Sequence, residues 1–180
     1  MEEVAFEVQE QVILFTDLHD YSIVVTTLGK HQALRFLQEM YEKLGELVVA
    51  YHGDIIKYMG DAMLCVFPAG SEIEVIRCAL QLRKTYFEMI DARNITHETE
   101  LEVGISAGEV ETGIIGHESL RQKDIFGEAV NRAAIIGHHR GIALTEEVYH
   151  KINTSYKTAQ LPDVTVKWQA EPLKVWEIIE

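Results

Sequence analysis

The sequence predicts an α+β fold whose core runs βαββαβ, with C-terminal αβ and β-hairpin additions, and three observations lead to it. Short apolar runs rich in β-branched residues occur at VILF (Val12 to Phe15) and LEVGISA (Leu101 to Ala107). Two longer stretches, 29–51 and 71–91, repeat apolar residues at three- and four-residue steps. Between those stretches, two apolar runs flank Met59, Gly60, Asp61 and Ala62 as the strands of a β-hairpin flank its turn. With 180 residues, 47% of them hydrophobic and 3 of them proline, the chain can bury a real core as one domain over 1–180.

Each element follows in order. Residues 1–10 form an expected flexible lead-in. Val12 to Phe15 is continuously apolar, as a strand covered on both faces is, and it ends at Thr16 and Asp17. From about Gly29 to Tyr51 an amphipathic helix carries Leu34, Leu37, Tyr41, Leu44, Val48 and Tyr51 and stops at Gly53. The hairpin strands are Ile55 to Tyr58 and Met63 to Phe67, with Asp61 at the tip. Ser71 and Glu74 have capping-box spacing, and Ile76, Leu80, Phe87 and Ile90 continue a second helix to about Asp91. Leu101 to Ala107 is the next strand, after which Gly108, Gly113 and Gly116 suggest tight turns and close backbone approach. A helix begins near Gly127 or Glu128 and reaches about Ile136. The core is then a sheet with helices on one face. Past Gly141 come a short strand, a short helix over Glu146 to Ile152, and strands near Val164 to Trp168 and Leu173 to Ile178.

Net charge is −13 and spread along the chain, which argues against a sequence-independent grip on nucleic acid or on an anionic membrane. A phosphate-bearing ligand must be met by local features or by cations. Cys65 and Cys78 are isolated in apolar stretches, as buried thiols of a reducing compartment are. No apolar run approaches the roughly 20 residues that cross a bilayer, and the acidic start lacks a secretory pattern, so the expected location is the cytoplasm.

Chemistry gathers around two aspartates. Asp17 ends the first strand, and Asp61 tips the hairpin expected to pair beside it. Two carboxylates in one small region repel unless cations lie between them, and oxygen ligation with open positions is what Mg²⁺ or Mn²⁺ prefers. Spacing alone leaves a second reading open, with Asp17 capping a turn and Asp61 serving the hairpin.

FTDLHDYS, GDIIKYMGDAMLCVF, and VGISAGEVETGIIG followed by DIFGEAVNRAA stand in this order in the chain. Together they resemble the first metal motif, the metal-bearing hairpin and the base- and ribose-binding region of the class III adenylate/guanylate cyclase catalytic (cyclase homology) domain. The likeness runs from about Val12 to Ile178. It implies a ferredoxin-like/palm-type core and a site holding two Mg²⁺ or Mn²⁺ ions, with Asp17, Asp61 and Leu18 as ligands. It implies that Lys57 and Asp124 read the base, that Asn131 positions the ribose, and that Leu18, Tyr21 and Ser22 also contact substrate. A lysine and a carboxylate complement the N1 acceptor and N6 donor of adenine, whereas guanine reverses that pattern, so ATP is the expected substrate and 3′,5′-cyclic AMP the product. The resemblance further implies a head-to-tail homodimer in which Asp17 and Asp61 of one copy face Lys57, Asp124 and Asn131 of the next. Regulatory domains outside this chain are also expected.

The sequence departs from that family at Ile135 and at Asp20. Where active relatives carry an arginine four residues after the asparagine, this chain has Ile135, which argues for slow turnover, a substituted cation or no catalysis. Neither Arg132, Arg140 nor the pair His138 and His139 has the expected spacing. Adjacent histidines cannot both face one ion from a regular helix, so that pair is expected at a pocket rim or in solvent. Asp20 stands where relatives often have glycine, and its carboxylate is expected to turn outward. The hairpin reads YMGDAM rather than a GGDEF-type turn, which argues against a diguanylate cyclase on the same framework.

Overall fold

The computed structural model describes residues 6–152 and 155–179. β1 (Glu7–His19) is followed by α1 (Tyr21–Leu28), α2 (Lys30–Ala50), the hairpin β2 (Asp54–Met59) and β3 (Ala62–Pro68), and α3 (Glu72–Asp91). Next come β4 (Glu100–His117), β5 (Leu120–Phe126), α4 (Glu128–Ile136), β6 (Ile142–Thr145), α5 (Glu146–Ile152), β7 (Thr158–Gln160) and β8 (Val175–Ile178). The strands form a sheet ordered β2-β3-β1-β4-β6-β8-β7, with β5 pairing to β4 outside that path. The expected α+β core is present, and its central strands β1, β3 and β4 are antiparallel neighbours.

The VILF run is apolar throughout because both of its faces are covered. Val12 and Leu14 enter the cluster built with α2 and α3, through Phe36, Met40, Leu44, Ile76, Leu82 and Tyr86. Ile13 and Phe15 point the other way, against Ala129 and Ala133 of α4. The expectation of helices on one face is therefore corrected: α2 and α3 cover one face and α4 the other. α4 sits against the sheet at Gly104, where a Cβ atom would come 2.1 Å from the Ala133 carbonyl oxygen and 2.6 Å from the Gly137 nitrogen.

Several expectations shift. Residues 7–10 are not a loose lead-in but strand, since β1 pairs with β4 from Glu7 opposite Thr112 onward, while residues 1–5 lie outside the described residues. The buried stripe of α2 keeps the expected Leu44 and Val48, but its first half is Ala33, Phe36 and Met40, one position before the expected Leu34, Leu37 and Tyr41, and Leu34 is 65% exposed. Ser71 precedes α3, but its hydroxyl donates to the Pro68 carbonyl at 2.6 Å instead of capping. The glycine-punctuated segment is the second half of an 18-residue strand that turns into β5, and only Gly116 (φ 123°) needs glycine for its turn, its Cβ position lying 2.2 Å from the Leu120 carbonyl oxygen. The expected strands near Val164 to Trp168 and Leu173 to Ile178 reduce to a single bridge, Val164 to Leu173, and to β8, which pairs with β7 and β6. Cys65 and Cys78 are free and buried, and burial pushes both thiols up, Cys78 to about 12. Among the described residues no helix is long and apolar enough to cross a membrane.

Candidate functional site

Thr16 is paired with Met63, the second residue of β3, so Asp17, which lies within β1 two residues before its end rather than ending the strand as expected, stands beside the turn that carries Asp61. Asp61 feels the charge of Asp17. Burial, followed by the Asp17 charge, raises the pKa of Asp61 against the opposing effect of its own backbone hydrogen bond. Asp17 Oδ1 accepts from the Leu18 backbone N–H at 3.0 Å, and Asp17 Oδ2 lies 3.0 Å from His138 Nδ1. Behind Asp61 stand three tyrosines. Tyr21 donates to the Ala33 carbonyl at 3.0 Å, Tyr41 donates to the Gly60 carbonyl, and the Tyr41 and Tyr58 rings lie 4.0 Å apart. Burial and then the Asp61 charge push the Tyr41 phenol up to about 12.

A second pair forms farther along β2. Lys57 Nζ donates to both carboxylate oxygens of Asp124, at 2.8 and 2.7 Å, and the Ile125 backbone N–H donates to Asp124 Oδ1 at 2.8 Å. The pair joins β2 to β5. A bulge between Ile55 and Lys57 re-aims the β2 side chains, and Ile125 packs with Leu64 and Val66, which brings β5 over the sheet.

The remaining candidates divide. Leu18 is buried in the core, which leaves only its backbone for ligation. Ser22 and Asn131 are exposed, on α1 and α4, and no side-chain hydrogen bond among the described residues ties Asn131 to either carboxylate pair. Asp20 adopts a left-handed backbone (φ 51°) and turns outward as expected, since aspartate tolerates the conformation that glycine adopts freely. Ile135 packs beside Leu161 and Val164 at the rim of an apolar cavity of about 230 Å³ that also reaches Leu173 and Val175 through its cluster. Arg132 is held by Glu128 at 2.9 Å and Glu147 at 2.8 Å; Arg140 is held by the Glu98 carbonyl at 3.0 Å and Glu100 at 3.4 Å.

One residue, Glu102, escaped the sequence reading, and the histidine pair expected at a pocket rim or in solvent divides between two partners. His138 is 61% exposed and touches Asp17, whereas His139 turns away to Glu177 at 3.0 Å. Glu102 is only 3% exposed and sits directly opposite Asp17 in the β1–β4 ladder. His19 Nδ1 lies 3.0 Å from Glu102 Oε1, an ion-pair distance that misses hydrogen-bond alignment. Burial raises the pKa of Glu102; His19 opposes this, Asp17 adds to it and His138 opposes it. Strict alternation along LEVGISA places Glu102 on the Asp17 face, a signal present in the sequence once the register is known.

The residues fit a divalent ion in the way that Mg²⁺ habitually binds, through one or two carboxylates with water and phosphate oxygens completing the shell. Asp17 and Asp61 would supply the carboxylates, and a cation between them would offset the Asp17 charge that, after burial, raises the pKa of Asp61. Among the described residues no group of three His, Cys, Asp or Glu side chains converges on one metal position.

A family model described as the adenylate and guanylate cyclase catalytic domain matches residues 4–179. An adenylate cyclase of Anabaena cylindrica is 26% identical over 188 aligned positions, covering 97% of this chain and 38% of that protein. The human guanylate cyclase soluble subunit beta-2 is 25% identical, covering 91% and 28%. Among solved structures, the adenylyl cyclase CyaB from P. aeruginosa superposes with a TM-score of 0.87 at 18% identity, covering 98% of this chain and 96% of that one. The guanylyl cyclase Cya2 superposes with a TM-score of 0.84 at 20% identity, covering 96% and 92%. The chain spans less than half the length of these curated relatives.

Proposed function

Because this chain belongs to the adenylate and guanylate cyclase catalytic domain family, we propose that it converts ATP to 3′,5′-cyclic AMP and pyrophosphate at a site completed by a second copy of itself. The pairing of Lys57 with Asp124 carries the choice of ATP. A cationic donor and a carboxylate held side by side match N1 and N6 of adenine, and a base entering between them exchanges one set of hydrogen bonds for another. Asp17 and Asp61 hold Mg²⁺ or Mn²⁺, which when bound neutralises phosphate charge and steadies the leaving pyrophosphate. Asn131, exposed on α4, orients the ribose so that the 3′-oxygen attacks the α-phosphorus in line as the bond to the bridging oxygen breaks and the hydroxyl proton departs. Tyr21 and Ser22, at the start of α1, and the Leu18 backbone complete the phosphate side.

A second reading has its own support. Ile135 is packed into an apolar cluster where an arginine would otherwise face the phosphates, and Arg132 and Arg140 are already held by glutamates. That arrangement suits a nucleotide-binding module with slow turnover or none, or a cyclase of another nucleotide. Incubating the purified chain with each of the four ribonucleoside triphosphates and Mn²⁺, then separating products by mass, distinguishes these readings. Cyclic AMP formed at a rate abolished by Asp17→Ala supports the enzyme; ATP bound and recovered unchanged supports the module.

A further inference from the structure

We propose that His138 is a nitrogen ligand to the cation held at Asp17, and that this makes the site favour Mn²⁺ over Mg²⁺. The inference rests on Asp17 being a cation ligand. His138 Nδ1 lies 3.0 Å from Asp17 Oδ2. Two neighbouring donors on one octahedral ion with bonds of about 2.1 Å stand about 3.0 Å apart, so the two atoms already have the spacing of adjacent ligands.

The position is built by the fold. Gly137 closes α4 against the sheet at Gly104 and Phe15, and the next residue's ring meets the Phe15 ring edge at 6.0 Å between centroids. Residue 138 therefore arrives beside the C-terminal end of β1 on the same face as Asp17. Glu102, directly opposite Asp17 in the β1–β4 ladder, lies on that same face. The ring is largely exposed, so it can shift by the few tenths of an ångström that ligation requires without disturbing the core.

Donor type then decides the metal. Mg²⁺ holds oxygen ligands and gives up water reluctantly, whereas first-row transition ions accept imidazole, Mn²⁺ the most weakly of them but more readily than Mg²⁺. A site of carboxylates alone has no such bias.

The test reads metal binding without nucleotide, so it is independent of turnover. Manganese bound to the intact chain, and displaced by Asp17→Ala, is expected to show ¹⁴N coupling in pulsed electron paramagnetic resonance. His138→Ala and His138→Gln should each abolish that coupling and weaken Mn²⁺ binding about tenfold, with Mg²⁺ affinity unchanged. Manganese held at Asp17 without nitrogen coupling overturns the proposal and leaves the metal role of Asp17 standing. Tighter manganese binding in His138→Ala also overturns it, since the ring would then be a competitor for Asp17. If no manganese is sensitive to Asp17→Ala, both readings fall.

Discussion

Lys57 and Asp124 lie 67 residues apart in sequence, yet the ammonium meets both oxygens of the carboxylate at 2.8 and 2.7 Å. Asp124 is buried, so in the free chain the lysine keeps an otherwise costly charge paired. A base that displaces this contact must replace it with bonds of equal quality, and that condition makes the pair selective.

Lys57→Glu should therefore change which base is used. The ratio of GTP to ATP use should rise by about tenfold or more, from the roughly 1 to 3 kcal/mol that a bidentate base contact contributes. A ratio is the right readout, because the variant also sets two carboxylates together and lowers the folded fraction. Mn²⁺ binding should be retained; equal losses in metal binding and ATP use would count against base reading.

If the site spans two copies, two defective chains should repair one another. Asp17→Ala mixed with Lys57→Glu should form heterodimers in which one of the two sites has all its parts. After subunit exchange, ATP turnover should recover to roughly a quarter of the original, where Asp17→Ala alone gives none and Lys57→Glu alone gives about a tenth or less. No recovery in a mixture shown by sedimentation to be dimeric would place both sets in one copy.

Ile135→Arg tests the departure from the family. Removing the side chain from its cluster with Leu161, Val164, Leu173 and Val175 should cost about 1 to 2 kcal/mol, visible as a lower melting temperature. In return kcat should rise by at least about tenfold, since a comparable arginine is worth roughly 10³ to 10⁵ in other phosphoryl transfers. A melting shift with no gain in rate would mean that the vacant charge does not limit turnover.

Alkaline pH should unfold the chain through Tyr86. Burial pushes its phenol up to about 12, partly offset by the hydrogen bond with Thr99, and nearby Asp61, Glu100 and Tyr21 add to the rise. The fold thus favours the neutral phenol over the unfolded chain, where it ionises near 10. That stability is whole below about pH 10 and drains away as pH climbs to about 12, by about 2 to 3 kcal/mol. Chemical denaturation of Tyr86→Phe across this range should show a shallower decline; an identical slope would assign the loss to other groups.

Gly104→Ala should loosen α4. The added methyl meets backbone at 2.1 and 2.6 Å, which no rotamer change relieves, so a loss of about 3 kcal/mol or more is expected in denaturant. Asn131 and His138 ride on the same helix and the turn after it, so nucleotide and metal binding should weaken in parallel with stability.

Much of this architecture was legible in the letters. The β2–β3 hairpin, α2 to α5 and β6 stand close to where the sequence put them, while β1 extends beyond its apolar run to Glu7 and His19 because β4 pairs with it along that whole length. Lys57 meets Asp124, and Asp61 feels the charge of Asp17. The β4–β5 arm was not legible: its glycines read as turns, and only pairing with β1 and β5 makes an 18-residue strand of that segment. α1 lacks a capping side chain and starts from a left-handed Asp20, so nothing local announced it. The contact of His138 with Asp17 depends on how closely α4 approaches at Gly104, a distance that no spacing rule encodes.

β2 is the terminal strand of the sheet, the place where a stray chain could zip its own backbone onto the fold. β5 lies against it, tied by Lys57 to Asp124 and by Lys123 to Asp54 at 3.8 Å. The groups assigned to recognising a small molecule thus also fence an exposed border with charge. Variants that neutralise them carry a risk of clumping that an assay of product alone would mistake for lost chemistry.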